Sequence, residues 1–155
     1  MAILERPIRH SESGAAGVDP ERRRVLAPWI GIGAALVVYI GAGIPSYWGD
    51  EAASVMSAQR PWSSLLAELG TVDAVHGMYY ALLHLWIDAF GPSEWATRAL
   101  SAIGIGLLAA GVVVLGTRWV DRRTGILAGV LVVLVPRAAL LAVETRGYAI
   151  AAAAA

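Results

Sequence analysis

The sequence predicts an all-α, polytopic membrane protein with about three membrane-spanning helices, the start of a fourth, and in-plane helices in its first external loop. The chain has 155 residues, of which 57% are hydrophobic and 15% charged. A soluble domain is usually ~45–50% apolar and ~25% charged. Charged residues are absent from 28–49 and 99–117, and 125–143 carries only Arg137. The predicted spans are therefore 28–46, 99–117 and 125–143, each of about 19 residues, close to the ~20 that cross a bilayer.

Composition also excludes several classes of protein. The net charge is zero and the mean hydropathy is +0.62, so the chain has no basic field to hold nucleic acid. Cysteine is absent, which excludes a disulfide scaffold, a thiolate metal site and a cysteine nucleophile. The segment 1–27 before the first span is long and partly acidic, and no small-x-small cleavage site follows that span. We therefore expect a mobile cytoplasmic arm and an anchor, not a signal peptide.

The arginines predict the orientation in the membrane. Short loops rich in arginine stay in the cytoplasm, and such clusters occur at 22–24 and at Arg118, Arg122 and Arg123. Two spans separate the clusters, which makes 47–98 one external loop. We expect an integral protein of a bacterial plasma membrane with a cytoplasmic N-terminus, whose third span returns outward.

One segment of that loop, 76–90, has the pattern of an amphipathic helix. Its polar residues recur every four positions and share one face: His76, Tyr80, His84 and Asp88. Its apolar residues fall on another face: Met78, Leu82, Leu85 and Ala89. The run is short for a span, so we predict a helix lying in the plane of the membrane. His84 and Asp88 can pair with each other, and no complete metal site is recognisable.

Two adjacent carboxylates follow the first span. Asp50 and Glu51 come directly after Tyr47 and Trp48. They can mark the water side of an aromatic belt. They can also supply a general base or a metal-binding acid with a pKa raised by low-dielectric surroundings. The sequence leaves both interpretations open.

Three arginines are candidates for binding an anion, and one further acid is a candidate for the same site. Arg98, at the outer start of the second span, can reach lipid head groups or hold a phosphate with its guanidinium fork. Arg137 lies inside the third span, where a charge is a functional candidate by default. Glu144 and Arg146, at the outer end, can form a plain ion pair or a second part of one site.

The order of these features carries a resemblance to a known family. The segments concerned read WGDEA at 48–52, HGMYY at 76–80, FGPSE at 90–94, RALSA at 98–102 and ETRGY at 144–148. Together they resemble the GT-C superfamily of membrane glycosyltransferases that use polyprenyl-phosphate sugars. The similar branch contains protein O-mannosyltransferases, lipid A aminoarabinose transferases and actinobacterial mannosyltransferase-like proteins. The resemblance covers about 28–150, the N-terminal part of such a module.

The resemblance implies roles for particular residues. Asp50 would act as base toward the acceptor with Glu51 beside it, and Glu144 would contribute to the same site. The donor phosphate would be held by Arg98, Arg137 and Arg146. The other site candidates are His76, Tyr80 and Tyr148. A divalent cation takes part in some branches of the family, so its involvement stays open. Many relatives carry two prolines where this chain has Gly77 and Met78, which puts the role of His76 in question.

We therefore predict transfer of a sugar, mannose or another hexose or pentose, from a polyprenyl-phosphate donor to an acceptor on the extracytoplasmic face. The acceptor is not defined by the sequence. The alternative is a non-catalytic membrane protein or a truncated remnant of the same fold, because relatives have many more spans. A transporter component is disfavoured, since the acids cluster near one surface.

Overall fold

The computed structural model describes residues 20–40, 42–44, 46–69 and 77–155. Within these ranges the secondary structure consists of helices joined by short connections, with no strand, which confirms the all-α prediction. The helices are α1 (Pro20–Tyr39), α2 (Gly49–Ala58), α3 (Trp62–Leu69), α4 (Gly77–Phe90), α5 (Glu94–Trp119), α6 (Arg122–Leu134), α7 (Pro136–Val143) and α8 (Tyr148–Ala154).

The first helix differs from its predicted bounds at both ends. It begins inside the segment 1–27 that the sequence predicts to be mobile, with a proline as its first residue, a position that proline favours. It ends at Tyr39, because the following residues 40–46 include glycines and a proline, which disfavour a helix interior. Its apolar part, Leu26–Tyr39, is shorter than the predicted span. The rest of the predicted arm, 1–19, lies outside the described residues.

The predicted third span, 125–143, is divided into two helices. The break falls at Val135, whose backbone is extended (φ −73°, ψ 117°) between α6 and α7. Pro136 explains the break, because a proline ring disfavours the helical conformation of the preceding residue. Among the described residues, one helix, Glu94–Trp119, is long and apolar enough to cross a membrane, and it contains the predicted span 99–117.

Helix α5 is central, and three of its glycines each face a different neighbouring helix. A Cβ added to Gly106 would lie 2.7 Å from the carbonyl oxygen of Gly31 in α1. One added to Gly116 would lie 2.7 Å from Cα of Gly125 in α6, and Gly104 faces α8 in the same way. No side chain fits at such distances, so glycine allows these helices to approach closely.

The outer surface of this bundle is apolar. Small residues occupy the contacts between α1, α5 and α6, while large apolar side chains point away from them. The exposed large side chains of these three helices include Trp29, Ile32, Leu36, Val37, Ile103, Leu107, Val114, Leu115, Leu127, Val130, Leu131 and Leu134. Apolar patches of this size are typical of a surface that contacts lipid or another protein.

Helices α2 and α4 pack together beside the N-terminal part of α5. His84 of α4 connects them, because its Nδ1 lies 2.7 Å from the carbonyl oxygen of Ala58 at the end of α2. Its Nε2 lies 3.4 Å from a carboxylate oxygen of Asp88, which confirms the predicted pair. Tyr80 and His84 of the predicted polar face are therefore buried against protein, whereas Asp88 is exposed. The exposed large side chains of α4 are Met78, Leu82, Leu85 and Phe90.

Candidate functional site

A buried ion pair between Glu51 and Arg98 joins the N-terminal end of α2 to the N-terminal part of α5. Glu51 is 1% exposed and Arg98 is 0% exposed. Arg98 Nε lies 3.0 Å from Glu51 Oε1, and Arg98 Nη2 lies 2.7 Å from Oε2, a bidentate arrangement. The guanidinium also donates to the carbonyl oxygens of Ala42 and Ser46. All three nitrogens of Arg98 therefore donate hydrogen bonds within the protein.

Glu51 accepts two further hydrogen bonds from the backbone. The N–H of Trp48 lies 3.1 Å from Oε2, and the N–H of Thr145 lies 2.8 Å from Oε1. Burial raises the pKa of the Glu51 carboxyl, but the hydrogen bonds from Arg98, Trp48 and Thr145 outweigh burial and hold this pKa below its usual value. Glu51 is thus an ionised residue that fastens three separate segments together.

One of these segments, the connection 144–147 between α7 and α8, is held by two more bonds to α5. The hydroxyl of Ser101 donates to the carbonyl oxygen of Glu144 at 2.6 Å. The hydroxyl of Thr145 lies 3.2 Å from that of Thr97. The position of this connection is therefore set by α2 and α5 as well as by the helices that it joins.

Above the ion pair lies a polar cavity of about 230 Å³. Its lining residues are Trp48, Asp50, Glu51, Glu144, Arg146 and Tyr148. All of them except Trp48 are candidates that the sequence analysis proposed. The two acidic segments face the same cavity, although the helices α3 to α7 separate them along the chain.

Arg146 supplies the positively charged side chain in the lining of this cavity. Its Nη2 lies 3.0 Å from Oδ2 of Asp50, and its Nη1 donates to the hydroxyl of Tyr148 at 3.0 Å. The guanidinium carbon also stands 5.7 Å from the centre of the Tyr148 ring, within the range of a cation–π contact. The Asp50 side chain is 79% exposed, whereas that of Arg146 is 27% exposed. The cavity thus presents one arginine and an accessible carboxylate.

Two other predicted site residues, Arg98 and Tyr80, are described by the structure and do not line the cavity. Arg98 lies beneath it with its nitrogens engaged, so its surroundings argue against the predicted contact with a ligand phosphate. Tyr80 is buried in α4 beside Tyr79, with their ring centres 6.3 Å apart. Arg137 is the second residue of α7, and its side chain is outside the described part. His76 also lies outside the described residues.

The sequence analysis did not identify the hydroxyl side chains around Arg98. Thr97 and Ser101 flank this arginine in an otherwise apolar helix. The hydroxyl of Tyr47 lies 2.9 Å from that of Thr97 and donates to the carbonyl oxygen of Pro92 at 2.7 Å. The sequence does contain a signal for these contacts, because a hydroxyl residue stands one position before the arginine and another three positions after it. They indicate a buried polar network that crosses to another segment.

A second cavity, of about 250 Å³, adjoins the polar one and is lined mainly by apolar groups. Its lining residues are Met78, Tyr79, Leu82, Gly147, Tyr148, Ile150, Ala151 and Ala154. Tyr148 belongs to the lining of both cavities. The polar cavity, which is lined by the guanidinium of Arg146, thus lies next to an apolar groove between α4 and α8.

Protein groups already engage part of the acidic oxygens that line the polar cavity. Among the described residues there is no group of three or more histidines and acids placed to hold one. Both oxygens of Glu51 accept two hydrogen bonds each, and Asp50 is paired with Arg146. A cation such as Ca²⁺ or Mg²⁺ requires free oxygen ligands. An arginine at the centre of the cavity favours an anion.

The arrangement can bind an anionic group at Arg146 and offer a carboxylate at Asp50 to a second group nearby. No family model, curated protein or solved structure matches the chain.

Proposed function

We propose that the chain contributes to a membrane glycosyltransferase that transfers a sugar from a polyprenyl-phosphate donor to an acceptor hydroxyl at the extracytoplasmic face. The observation that carries this proposal is the polar cavity around Asp50, Glu144 and Arg146, which adjoins an apolar groove. The proposed substrate has the same two parts, a charged head and an apolar chain.

The polar cavity supports the head-group part of the proposal. A guanidinium binds phosphate through charge-assisted hydrogen bonds, and Arg146 is the arginine that lines the cavity. The glutamate Glu144 and the aspartate Asp50 lie on the same lining. Such an acid can accept the proton of an attacking hydroxyl. Cation and base are thus within one space of about 230 Å³.

The apolar groove supports the lipid part of the proposal. It is lined by side chains of α4 and α8, among them Met78, Leu82 and Ile150. Tyr148 stands where the two cavities meet, with its hydroxyl bound to Arg146. A lipid phosphate with its head at Arg146 can therefore extend its first prenyl units along Tyr148 into the groove.

The apolar outer surface supports integration into a membrane. Large apolar side chains of α1, α5 and α6 are exposed, and α5 is long enough to cross a bilayer. The exposed face of α4, with Met78 and Leu85, suits a helix lying along the membrane surface. A site at that surface is accessible to a donor that diffuses within the lipid.

The proposed reaction follows from the placement of charge. The acceptor oxygen forms a bond to the anomeric carbon of the sugar while the bond from that carbon to the phosphate oxygen breaks. The proton of the acceptor passes to Asp50. The electron pair of the broken bond stays on the leaving phosphate, where Arg146 stabilises the developing charge. Glu51 holds the backbone N–H groups of Trp48 and Thr145 and does not itself contact the substrate.

The proposal is tested by binding and by transfer. The protein in nanodiscs is titrated with decaprenyl monophosphate, and Arg146→Ala is compared with Arg118→Ala, which removes an exposed arginine at the opposite end of α5. Arg146→Ala is expected to weaken binding by on the order of tenfold, the loss typical of a charged hydrogen bond. Arg118→Ala is expected to bind like the unmodified protein. Equal affinities for all three proteins would contradict the proposal.

Transfer is measured in membranes supplied with radiolabelled polyprenyl-phosphate mannose. Asp50→Asn is expected to abolish the label in the acceptor fraction, because an amide does not accept the proton. Label transfer that persists in this variant would remove Asp50 from its proposed role. Binding without any transfer by the unmodified protein would favour the non-catalytic alternative.

A further inference from the structure

The ion pair between Asp50 and Arg146 uses the groups that the proposed reaction requires for other purposes. Arg146 Nη2 lies 3.0 Å from Asp50 Oδ2. Arg146 and Asp50 both line the polar cavity. While the pair is intact, the carboxylate of Asp50 occupies the position that a ligand phosphate would take on Arg146.

The two partners of this pair are held very differently. Arg146 is bound on its other side to the hydroxyl of Tyr148, and the residue before it is fastened by its backbone N–H to Glu51. Asp50 is 79% exposed and lies in the first turn of α2. An anion that competes for Arg146 therefore displaces the carboxylate, while the arginine keeps its place.

We propose that Asp50 is an internal substitute for the ligand phosphate, and that donor binding exchanges it for the phosphate on Arg146. The displaced carboxylate is then free to accept the proton of the acceptor hydroxyl. This inference rests on the proposed function, and adds to it an order of events in which the donor binds before the base becomes available. The exchange forms one ion pair as it breaks another, so no oxidant, reductant or other co-reactant is needed.

The inference has an unusual consequence for the variant Asp50→Asn. If Asp50 only removes a proton, its replacement is expected to leave the affinity for the donor unchanged. If its carboxylate instead holds Arg146 in place, its replacement is expected to lower this affinity. An internal competitor does the opposite, because its removal frees the arginine for the ligand. An exposed ion pair is worth little, so the gain in affinity is expected to be about two- to fivefold.

The experiment titrates decaprenyl monophosphate and inorganic phosphate into the protein in nanodiscs of uncharged lipid. Asp50→Asn is compared with Asp88→Asn, which removes one exposed negative charge from α4 and keeps an oxygen for His84. Uncharged decaprenol is the third probe and reports whether the apolar groove is intact. Both phosphate probes are expected to bind Asp50→Asn more tightly, whereas Asp88→Asn and the binding of decaprenol are expected to stay unchanged.

The double variant Asp50→Asn with Arg146→Ala completes the test. It is expected to bind both phosphate probes as weakly as Arg146→Ala alone, because the competitor acts only through the arginine. An unchanged or reduced affinity in Asp50→Asn, or an equal gain in Asp88→Asn, would overturn the inference. If Arg146→Ala itself binds the lipid phosphate normally, the proposed function fails instead. The two failures are therefore distinguishable.

Discussion

Arg98 and Glu51 form a bidentate ion pair that is almost completely removed from solvent, with Arg98 Nη2 2.7 Å from Glu51 Oε2. The pair lies beneath the polar cavity and connects α5 to α2 and to the connection 144–147. Its role is therefore one of positioning, because it sets where Asp50 and Arg146 stand relative to each other.

Breaking this pair is expected to destabilise the protein strongly. In Arg98→Met the buried carboxylate of Glu51 loses its cation, and such a loss typically costs about 3–5 kcal/mol. The free energy of unfolding is measured by denaturant titration in detergent micelles. The matched control, Arg118→Met, removes an exposed arginine from the same helix and is expected to change this free energy by less than about 0.5 kcal/mol. Equal effects of the two variants would argue against a buried pair.

Stability is also expected to depend on pH through Glu51. The pKa of this carboxyl lies below its usual value in the folded protein, so its contribution is fully present above the pKa of an unfolded glutamate. The contribution decreases as the pH falls through the lower, folded pKa. We therefore expect the unfolding free energy of the unmodified protein to decline more steeply than that of Glu51→Gln below about pH 4.3, the usual glutamate value. Parallel curves for both proteins would contradict this assignment.

Replacing a glycine by alanine at the contact between α1 and α5 is expected to lower the free energy of unfolding. In Gly106→Ala the new Cβ meets the backbone of Gly31, which cannot move aside as a flexible side chain can. Overpacking of this kind typically costs about 1–3 kcal/mol of the unfolding free energy. Gly111→Ala on the same helix is the control, since nothing lies within 4 Å of its added Cβ. Helix propensity favours alanine over glycine at both positions, so a similar loss in both variants would show that the close approach of Gly106 to Gly31 is not the cause.

The orientation of the chain in the membrane can be tested with single cysteines, because the sequence contains none. Gln59 follows α2 and Val120 follows α5, and both side chains are exposed. In intact cells, Gln59→Cys is expected to react with a membrane-impermeant maleimide, and Val120→Cys only after lysis. The reverse pattern would place the polar cavity on the cytoplasmic side.

Sequence patterns predicted the residues of the cavity better than the bounds of the helices. Asp50, Glu144 and Arg146 could be grouped because two predicted spans lie between their segments, and an even number of spans predicts that both segments lie at the same end of the bundle. The end of α1 at Tyr39 and the break at Val135 were missed, although glycines and Pro136 were visible in the sequence. Hydropathy counts apolar residues and does not register where the backbone leaves the helix.

The role of Arg98 could not be predicted from the sequence for a different reason. An arginine at the start of an apolar helix fits a head-group contact and a buried pair equally well. The choice between them depends on whether Glu51 comes within hydrogen-bond distance, which is a property of how α2 packs on α5. His84 and Asp88 could be paired in advance because both lie on one helix, four residues apart.

The glycine contacts of α5 have a consequence for how the sequence can change over time. Gly104, Gly106 and Gly116 are closely packed against neighbouring helices, while the bulky side chains on the outside of the bundle are largely exposed in the described part of the chain. Substitutions among leucine, isoleucine and valine should accumulate freely on that outer face. Variation in related chains would then be greatest at the most hydrophobic positions, the reverse of the pattern in a water-soluble protein.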